Sequence, residues 1–457
     1  MKVNNHLLKT IFESDSREAK VQLAYKHNVM ASLFTKSGAF EKAEIHYRKA
    51  IAEAHAAGIA YSNVHVNLGN MHSQLKNYSE AKNSYRAAIE SSPWRLIVQE
   101  TQEHPDSVES DNDAFEKVYG SLNIPKALRD DLPEIFNSRA AYIDAHTNLG
   151  FCLLNLGDSI EAYDYLLKAF KLDQYNKEIL VNIGNAMRQI GKRAEAIELA
   201  WKVILERHGE LTQDFNYSIS DFDFIKNSPI NTSDNYCSPE DKSHISFVCV
   251  KWGTLYGADY VNKLFNGVKT YYLKPFKFYC LTENADGLMS EIEVLPLNSD
   301  FHTWWTKAHL FQGFEQLSKT KNVYIDLDVV IVGSLDFLAD SNTEFALLRS
   351  DEIACESLNK DGYNSSVIIF QGERLNRIYS YLQKFHKSVT QVIFRFDYWL
   401  EMMAPKAEFL QDLCPGKICD YLAECQKEVK EGSSIVVFPR RPKPHDYPSD
   451  WVKDYWI

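Results

Sequence analysis

The sequence predicts a helical repeat array followed by an α/β domain, and three observations support this fold class. A chain of 457 residues is too long for one hydrophobic core of ordinary size. In the first half, apolar residues recur with a period of about 34 residues, which is typical of stacked helical hairpins. From His244 onward, β-branched apolar runs alternate with helical patterns, which is typical of a mostly parallel sheet. We expect a repeat domain at 1–210, a linker at 211–243 and an α/β domain at 244–457.

Composition and charge exclude several classes of function. Hydrophobic residues make up 45% of the chain and charged residues 25%, as in ordinary soluble proteins. The formal net charge of −12 argues against a nucleic-acid or anionic-membrane partner. The eight cysteines form no Cys-x-x-Cys pair, and no apolar run reaches the roughly 18 residues of a transmembrane helix. We therefore expect a cytoplasmic protein with reduced thiols and no transmembrane segment.

The repeat signal is a large aliphatic residue followed by glycine, with an alanine thirteen positions after the aliphatic residue. It occurs at Leu68-Gly69 with Ala81, at Leu149-Gly150 with Ala162, and at Ile183-Gly184 with Ala196. We place four copies at about 24–57, 62–95, 143–176 and 177–210, with an acidic insertion at about 96–140. The pattern resembles the tetratricopeptide repeat, which implies a superhelix with a concave binding face.

Asparagines precede the aliphatic-glycine pair at Asn67, Asn148 and Asn182. On the first helix of each repeat, such a ladder of amides could hydrogen-bond the backbone of an extended peptide. Asparagine is common at these positions in the repeat family, so scaffolding or self-association into a homo-oligomer stays an open alternative.

From His244 onward we expect a strand, a short loop and a helix, and then a second strand in KFYCLTENA that ends in a polar turn. A third strand is expected at 293–297, a helix at 306–318, and then an acid-bearing strand at 323–332. Ligands in such sheets bind beyond the carboxyl ends of the strands. We expect Val250, Lys251, Trp252, Gly253 and Thr282 to meet Asp326 and Asp328 there.

The pair Asp326 and Asp328 lies in a β-branched apolar run. Residues i and i+2 of a strand point to one side, so two unpaired carboxylates there would repel each other unless a cation joined them. Carboxylate oxygens suit Mg²⁺ or Mn²⁺, which often shares its shell with substrate phosphates. The alternative is a solvated acid pair at a strand end.

The second half resembles a nucleotide-sugar glycosyltransferase of the GT-A fold, most closely the glycogenin-like family 8. The segments that carry the likeness are FVCVKWGTLY, TKAHLF, YIDLDVVIVGSLD, YNSSVIIF and PRRPKPH. The resemblance implies a metal-dependent, retaining hexosyltransferase that uses a UDP-sugar donor. With the strand ends, it places the nucleotide sugar near Val250, Lys251, Trp252, Gly253, Tyr256, Thr282, Lys307, Asp326, Leu327, Asp328, Asn364, Ser365 and Lys443.

Within the resemblance, Asp326, Asp328 and Lys307 are candidate catalytic residues, and Lys307 and Lys443 would neutralise the diphosphate. The family's metal-binding histidine is replaced by Val437, so His445 is the candidate third ligand. Asp397, in FRFDYWL, is the candidate acceptor-side catalytic residue. The repeats would then recruit a protein or peptide acceptor.

Two other functions remain open from the sequence. A sugar nucleotidyltransferase also uses acids and a metal on an α/β sheet, but it normally has a glycine-rich phosphate loop after the first strand. A non-catalytic adaptor would combine the repeats with a degenerate sugar-nucleotide sensor, and the intact Asp326, Asp328 and Lys443 argue against that degeneracy.

Overall fold

The structure is a computed structural model that describes residues 17–95, 98, 138–222, 244–297, 301–353, 361–393 and 395–457. Nearly all of the predicted insertion at 96–140, and residues 223–243 of the predicted linker, lie outside the described residues. The chain divides into two compact units, Met1–Ala186 and Met187–Ile457.

The helices of the first unit follow one another as antiparallel pairs that correspond to the predicted repeats. They are α1 (Arg17–Lys36), α2 (Phe40–Ala56), α3 (Ser62–Gln74), α4 (Tyr78–Ser91), α5 (Arg139–Leu156) and α6 (Ser159–Leu172), and α7 (Lys177–Gln189) crosses the unit boundary. The first and third pairs begin earlier than predicted, at Arg17 and Arg139.

The aliphatic-glycine pair has a steric cause. A Cβ atom on Gly69 would lie 2.6 Å from the ring of Tyr85, and one on Gly150 would lie 2.4 Å from Cγ of Leu166. Real side chains never approach so closely, so glycine lets the two helices of a repeat pack with a large residue between them. At the end of α5, Gly157 adopts a φ of +87°, the left-handed conformation that closes the turn into α6.

The second unit contains the remaining helix of the fourth predicted repeat and a mixed α/β fold. Its α-helices are α8 (Arg193–Thr212), α9 (Ala258–Tyr271), α10 (Glu315–Ser318), α11 (Asp336–Asp340), α12 (Arg377–Val392), α13 (Phe396–Met403), α14 (Leu410–Leu413) and α15 (Asp450–Tyr455). Short 3₁₀-helices lie at Ile219–Asp221, Thr303–Phe311, Glu373–Asn376 and Pro444–Asp446, with a π-helical turn at Tyr421–Cys425.

The strands form two sheets. They are β1 (Ile245–Lys251), β2 (Phe276–Thr282), β3 (Glu293–Pro296), β4 (Lys321–Ile325), β5 (Val329–Ile331), β6 (Phe345–Arg349), β7 (Tyr363–Phe370), β8 (Glu408–Phe409), β9 (Ile418–Asp420) and β10 (Ile435–Val437). In the described residues the larger sheet has the order β3-β2-β1-β4-β7-β6-β8, and the smaller one has the order β5-β10-β9.

The larger sheet has a parallel half that positions the site. Strands β3, β2, β1 and β4 run parallel, and Val248 of β1 pairs with Tyr279 of β2 and with Tyr324 of β4. Every residue of β1 and β4 is buried, which explains their continuous apolar character. Strand β7 runs antiparallel to β4, so the start of β7 lies beside the carboxyl end of β4.

Helix α8 packs against α12 within the second unit. The indole of Trp201 on α8 is completely buried, with its ring centroid 5.5 Å from that of Trp399 and 6.0 Å from that of Phe385. The ring of Phe222 stacks on Trp201 at 4.3 Å. The structure therefore groups this repeat helix with the α/β fold.

The predicted fold class, a helical repeat array followed by a Rossmann-like α/β domain, is confirmed. Two local predictions are wrong. The strand at 323–332 is broken by a turn at 326–328 into β4 and β5, which belong to different sheets. The helix at 306–318 is a 3₁₀-helix and a short α-helix, separated at Gly313, whose φ of +87° interrupts helical geometry.

Candidate active site

A cavity of about 380 Å³ opens in the second unit where β4 ends and β7 begins. Acidic, basic, amide and aromatic side chains converge on it. They belong to Trp304, Lys307, Asp326, Asp328, Asn364, Ser365, Ser366, Arg395, Phe396, Asp397, Pro439, Arg440 and Lys443. Seven of the residues predicted for the nucleotide sugar, the metal or the acceptor side are in this set: Lys307, Asp326, Asp328, Asn364, Ser365, Asp397 and Lys443.

The two aspartates reach the cavity from the turn between β4 and β5. Leu327 between them is buried, and the Asp326 N–H donates to the carbonyl of Ser366 on β7 at 2.9 Å. A turn pinned in this way sends the intervening leucine into the core and both carboxylates toward the cavity. The sequence correctly suggests a shared side, although the cause is a turn and not a continuous strand.

Asp326 is held by an ammonium and a phenol. Lys307 Nζ lies 2.8 Å from one carboxylate oxygen and 2.9 Å from the other, and the Tyr324 hydroxyl donates to Oδ1. Burial raises the pKa of Asp326 above its ordinary value, although Lys307 acts in the opposite direction. Burial alone would lower the pKa of Lys307, but the carboxylates of Asp326 and Asp397 outweigh it and raise that pKa.

Asp328 has an equivalent pair of donors. Lys443 Nζ donates to its Oδ2 at 2.7 Å, and the Tyr256 hydroxyl donates to the same oxygen at 3.1 Å. Lys443 also donates to the carbonyl of Phe438, which fixes its ammonium beside the carboxylate. Each aspartate therefore has its own lysine and its own tyrosine.

The start of β7 joins these pairs to the opposite wall. Lys307 Nζ lies 3.2 Å from Oγ of Ser365, whose backbone N–H donates to Oδ1 of Asp397 at 3.0 Å. Asn364 Oδ1 accepts from the N–H of Ser366 at 3.0 Å. Asp397 therefore orders the strand segment that faces the aspartates.

The predicted residues at the ends of β1 and β2 hold the neighbouring loops together. Lys251 is buried and donates to the carbonyl of Asn284 at 3.2 Å, while Thr282 Oγ1 donates to the same carbonyl at 2.9 Å. The Gly253 N–H donates to Glu283. These contacts tie the two loops together beside the parallel edge of the sheet.

Two further predicted residues differ in their access to solvent. Val250 is 7% exposed and belongs to the core, whereas Trp252 is 36% exposed at the end of β1. Neither residue lines the cavity, so a ligand that reaches Trp252 must extend beyond it.

The predicted third metal ligand is directed elsewhere. Nδ1 of His445 lies 2.5 Å from the hydroxyl of Tyr260, and Nε2 lies 3.5 Å from Asp446. His445 does not line the cavity, and among the described residues no three His, Cys, Asp or Glu side chains lie close enough together to hold a metal ion. The oxygens of Asp326 and Asp328, which face a polar cavity, fit a hard divalent cation that keeps water or phosphate oxygens in its other positions.

Sequence reasoning missed some side chains of the site. Tyr324 lies two residues before Asp326, so strand alternation alone could have placed its hydroxyl on the carboxylate's side. Trp304 lies three residues before Lys307, and Arg395 lies two residues before Asp397, so their closeness in the sequence to predicted site residues could have identified both.

The predicted peptide-binding asparagines lie in the first unit. Asn67 donates to Asn28 at 3.1 Å, and Asn148 donates to Asn70 at 3.0 Å, so side-chain amides bond across adjacent repeats. Asn182 is 6% exposed. In the part of the chain that the structure describes, no helix is long and apolar enough to cross a membrane.

A family model described as tetratricopeptide repeat matches residues 62–93 and 143–176, which are the second and third predicted copies. This match confirms the second and third predicted copies. None of the curated proteins matches the chain.

Solved glycosyltransferases align with part of the chain. The galactosyltransferase LgtC, solved with donor and acceptor sugar analogues, is 12% identical over 44% of this chain and 88% of that chain, with a TM-score of 0.32. Apo GlyE from Streptococcus pneumoniae TIGR4 is 12% identical over 44% of this chain and 55% of that chain, with a TM-score of 0.33. The apo form of the bifunctional enzyme WbbM is 13% identical over 66% of this chain and 68% of that chain, with a TM-score of 0.30. Because these values are low, the chemistry of the site rests on the contacts of this chain.

Proposed function

We propose that the second unit is a metal-dependent glycosyltransferase that transfers a sugar from a nucleotide-diphosphate donor. The observation that carries the proposal is the double pair at the cavity, Asp326 with Lys307 and Asp328 with Lys443. The likeness of the sequence to family 8 further favours UDP as the nucleotide and retention of anomeric configuration.

The double pair suits a ligand that contains both a divalent cation and a diphosphate. Without ligand, each carboxylate is balanced by its own ammonium, which limits the cost of burying the four charges. Mg²⁺ or Mn²⁺ held by Asp326 and Asp328 would supply Lewis-acid stabilisation of the leaving nucleotide diphosphate. Lys307 and Lys443 are then close enough to donate to phosphate oxygens, so charges stay balanced in both states.

The opposite wall suits the transferred sugar. Asn364, Ser365 and Asp397 offer amide, hydroxyl and carboxylate groups, and the bond from the Ser365 N–H to Asp397 keeps them in one arrangement. A sugar held by these groups would lie beside the diphosphate groups, and an acceptor hydroxyl would have to reach it within the same cavity. Orientation of the two reactants would supply much of the rate.

The test is Asp328→Asn, which keeps the side-chain volume and removes the charge. Hydrolysis of a UDP-sugar that depends on Mn²⁺ should fall at least about a hundredfold, which is typical of the loss of one preorganised electrostatic group. Asp340→Asn, which changes an exposed surface pair with Lys274, is the control and should leave the rate unchanged. Full Mn²⁺-dependent turnover in Asp328→Asn would contradict the assignment.

A binding measurement on the same variants separates catalysis from affinity. Mn²⁺ and UDP together should raise the melting temperature of the native chain by more than the sum of their separate effects, because each balances charges that the other leaves unpaired. This excess should disappear in Asp328→Asn and remain in Asp340→Asn. Strictly additive shifts in the native chain would argue against a joint metal–diphosphate site.

For the first unit we propose recruitment of a protein or peptide acceptor, or self-association, through the amide-lined repeats. The bonds of Asn67 and Asn148 to neighbouring repeats arrange amides in a row. Such a row can hydrogen-bond the backbone of an extended peptide whatever the peptide's sequence.

A further inference from the structure

Strand β7 departs from regular pairing with β6 at the residues that line the cavity. The pairing is regular as far as Leu347 with Ile368, and it resumes three residues out of step, with Leu348 opposite Asn364. In the pairing that the structure describes, three consecutive residues of β7 therefore face no residue of β6: Ser365, Ser366 and Val367. Such a bulge bends a strand and redirects its side chains.

The bulge shapes one wall of the cavity. The Ser365 N–H donates to Oδ1 of Asp397, and the Ser366 N–H donates to Oδ1 of Asn364, each at 3.0 Å. Asn364, Ser365 and Ser366 all line the cavity. This is the wall to which the proposed function, on which this inference rests, assigns the transferred sugar.

Regular pairing of the same two strands is the competing arrangement. Continued without the offset, it would place Arg349 opposite Ser366 and Ser350 opposite Ser365. Regular pairing would add backbone hydrogen bonds between the strands, so the offset persists only if other contacts outweigh them.

Arg349, the last residue of β6, makes contacts that favour the offset. Its side chain is 17% exposed, and its guanidinium carbon lies 4.5 Å from the centroid of the Phe409 ring. Its Nη1 lies 2.5 Å from Glu352, its Nη2 2.5 Å from Asp412, and its Nε 3.2 Å from Asp361. Glu352 lies three residues after β6 and Asp361 two residues before β7, so one guanidinium holds both ends of the connection between the strands.

The backbone beside this guanidinium is arranged in the same way. The Ser350 N–H donates to the carbonyl of Gly362 at 2.8 Å, next to the resumed pair of Arg349 with Tyr363. Asp361 has a φ of +54°, in the left-handed region that residues other than glycine seldom occupy. The carboxylate of this unfavourable residue is one of the three that Arg349 contacts, so the guanidinium helps to keep the turn in place.

We propose that Arg349 is a positioning residue for the transferred sugar. By holding Glu352 and Asp361 together, it maintains the three-residue offset that keeps Ser365 and Ser366 in the cavity wall. Arg349 does not line the cavity, so it would act through β7 and not by contact with the substrate. Arginine suits this role because its planar fork of donors serves several carboxylates at once, whereas an ammonium is a single point charge.

The first experiment separates binding of the sugar from binding of the nucleotide. Calorimetry on the full chain with Mn²⁺ compares UDP with UDP-glucose, UDP-galactose and UDP-N-acetylglucosamine, and the sugar nucleotide that the native chain binds most tightly is used thereafter. In Arg349→Gln its affinity relative to UDP should fall about tenfold, as expected when a polar contact to the sugar is lost. The affinity for Mn²⁺ with UDP should be retained, because Asp326, Asp328 and their lysines are unchanged.

Turnover of the same sugar nucleotide provides a second readout. The kcat for release of UDP should fall at least about tenfold in Arg349→Gln, because a displaced sugar is poorly aligned for transfer. A loss of stability alone would lower the melting temperature and leave both kcat and the relative affinity of the folded protein unchanged.

Two matched variants test whether the geometry of Arg349 matters. Lysine keeps the charge but cannot reach carboxylates on both sides, so Arg349→Lys should lose most of the sugar affinity as well. Lys274→Gln removes another cation that pairs with two surface carboxylates, Asp336 and Asp340, and should behave as the native chain. Native sugar affinity in Arg349→Lys would show that charge alone suffices, and it would overturn the proposal.

Hydrogen exchange measures the bulge itself. In Arg349→Gln the amides of Ser365 and Ser366 should exchange faster relative to that of Ile369, which lies in the regular part of β7. Asp361→Asn weakens only one of the three contacts, so it should fold if Arg349→Gln does not and show the same pattern to a smaller extent. Equal acceleration of all three amides would mean that Arg349 supports the whole fold, and it would overturn the positioning role.

The outcomes distinguish this inference from the function on which it rests. Unchanged relative affinity and kcat in folded Arg349→Gln would overturn the inference and leave the proposed function standing. An equal loss of affinity for UDP and for the sugar nucleotide would also overturn it. If neither UDP nor any of the sugar nucleotides binds the native chain with Mn²⁺, the proposed function fails and this inference fails with it.

Discussion

At the scale of single residues, the first unit holds a histidine that cannot easily be protonated. His146 on α5 is 2% exposed, and its Nδ1 lies 2.9 Å from the carbonyl oxygen of Tyr142. Its ring packs edge-on against that of Tyr142, with 4.5 Å between the centroids. Burial, assisted by the charge of Lys168, lowers the pKa of His146 to about 4.

This shift predicts an acid-dependent loss of stability in the repeats. The pKa of His146 in the folded chain lies below its value of about 6.5 in the unfolded chain. The stability that neutral His146 contributes is therefore fully present above about pH 6.5. It is lost as the pH falls toward 4. The loss would be roughly 3 kcal/mol in total. Hydrogen exchange of α5 amides between pH 7 and pH 4 measures it.

The variant His146→Asn keeps a donor for the Tyr142 carbonyl and removes the titrating ring. Its opening free energy should vary less with pH than that of the native chain. His55→Asn, at an exposed position on α2, should retain the native pH dependence. If the opening free energy changes equally with pH in the native chain, His146→Asn and His55→Asn, then His146 does not control the acid response.

Single residues also show how far the sequence predicts the site. The acid pair could be located from its position in a β-branched apolar run, and Lys307, Asn364, Ser365 and Lys443 from segments that resemble those of family 8. His445 could not be placed correctly, because its direction depends on Tyr260 and Asp446, which it contacts after folding. A ligand set assembled from separate segments is a tertiary property.

At the scale of elements, α13 connects the candidate site to the repeat helices. Asp397 in its first turn lines the cavity, and Glu401, four residues later, is 1% exposed. Arg188 of α7 and Arg193 of α8 donate to the same oxygen of Glu401, at 2.7 Å and 2.9 Å. Residues four apart lie on one helix face, so this anchor holds the part of α13 that carries Asp397.

The variant Glu401→Gln should therefore affect both stability and turnover. It leaves two guanidinium groups beside a neutral side chain, and disruption of a buried ion pair costs about 3 kcal/mol or more. Because the part of α13 that carries Asp397 would lose this anchor, we expect kcat to fall while the affinity for UDP and Mn²⁺ is retained. Chemical unfolding and steady-state kinetics on the same preparation measure both effects.

The control is Glu206→Gln, on α8 and therefore in the same structural context. Its pair with Lys202 is 3.9 Å long and exposed, and such pairs contribute less than about 1 kcal/mol. If Glu401→Gln and Glu206→Gln behave alike, the anchor has no role in positioning Asp397.

At the scale of the whole molecule, the boundary between the units determines which truncations are informative. The second unit begins at Met187, and α8 contributes the fully buried Trp201 to its core. A truncation that removes α8 would damage the α/β fold as well as the repeats. Loss of activity in such a protein would say nothing about acceptor recruitment.

A chain of residues 177–457 should unfold cooperatively and keep its stabilisation by Mn²⁺ with UDP. A chain of residues 213–457 lacks the packing of Trp201, which is worth several kcal/mol, and should melt at least about 10 °C lower. If the repeats recruit the acceptor, residues 177–457 should hydrolyse the donor at the native rate and fail to modify the acceptor. Equal melting temperatures of the two chains would show that α8 is dispensable.

The fold of the whole molecule was largely predictable, and the reasons for the exceptions are physical. Helix pairs and parallel strands follow from periodicity, and Gly69 and Gly150 mark a close approach that leaves a strong local signal. The association of α8 with α12 depends on aromatic contacts between residues about 180 positions apart, such as Trp201 with Phe385. Periodicity carries no information about that contact.

The distribution of tryptophans gives the molecule an optical property. Of its eight tryptophans, Trp252 is 36% exposed and Trp304 44%, whereas Trp94, Trp201, Trp305, Trp399, Trp451 and Trp456 are each 8% exposed or less. The two accessible indoles lie at the end of β1 and at the rim of the cavity. A collisional quencher in solution therefore samples mainly the neighbourhood of the candidate site, and the intrinsic fluorescence of the unlabelled chain serves as a reporter of what occupies it.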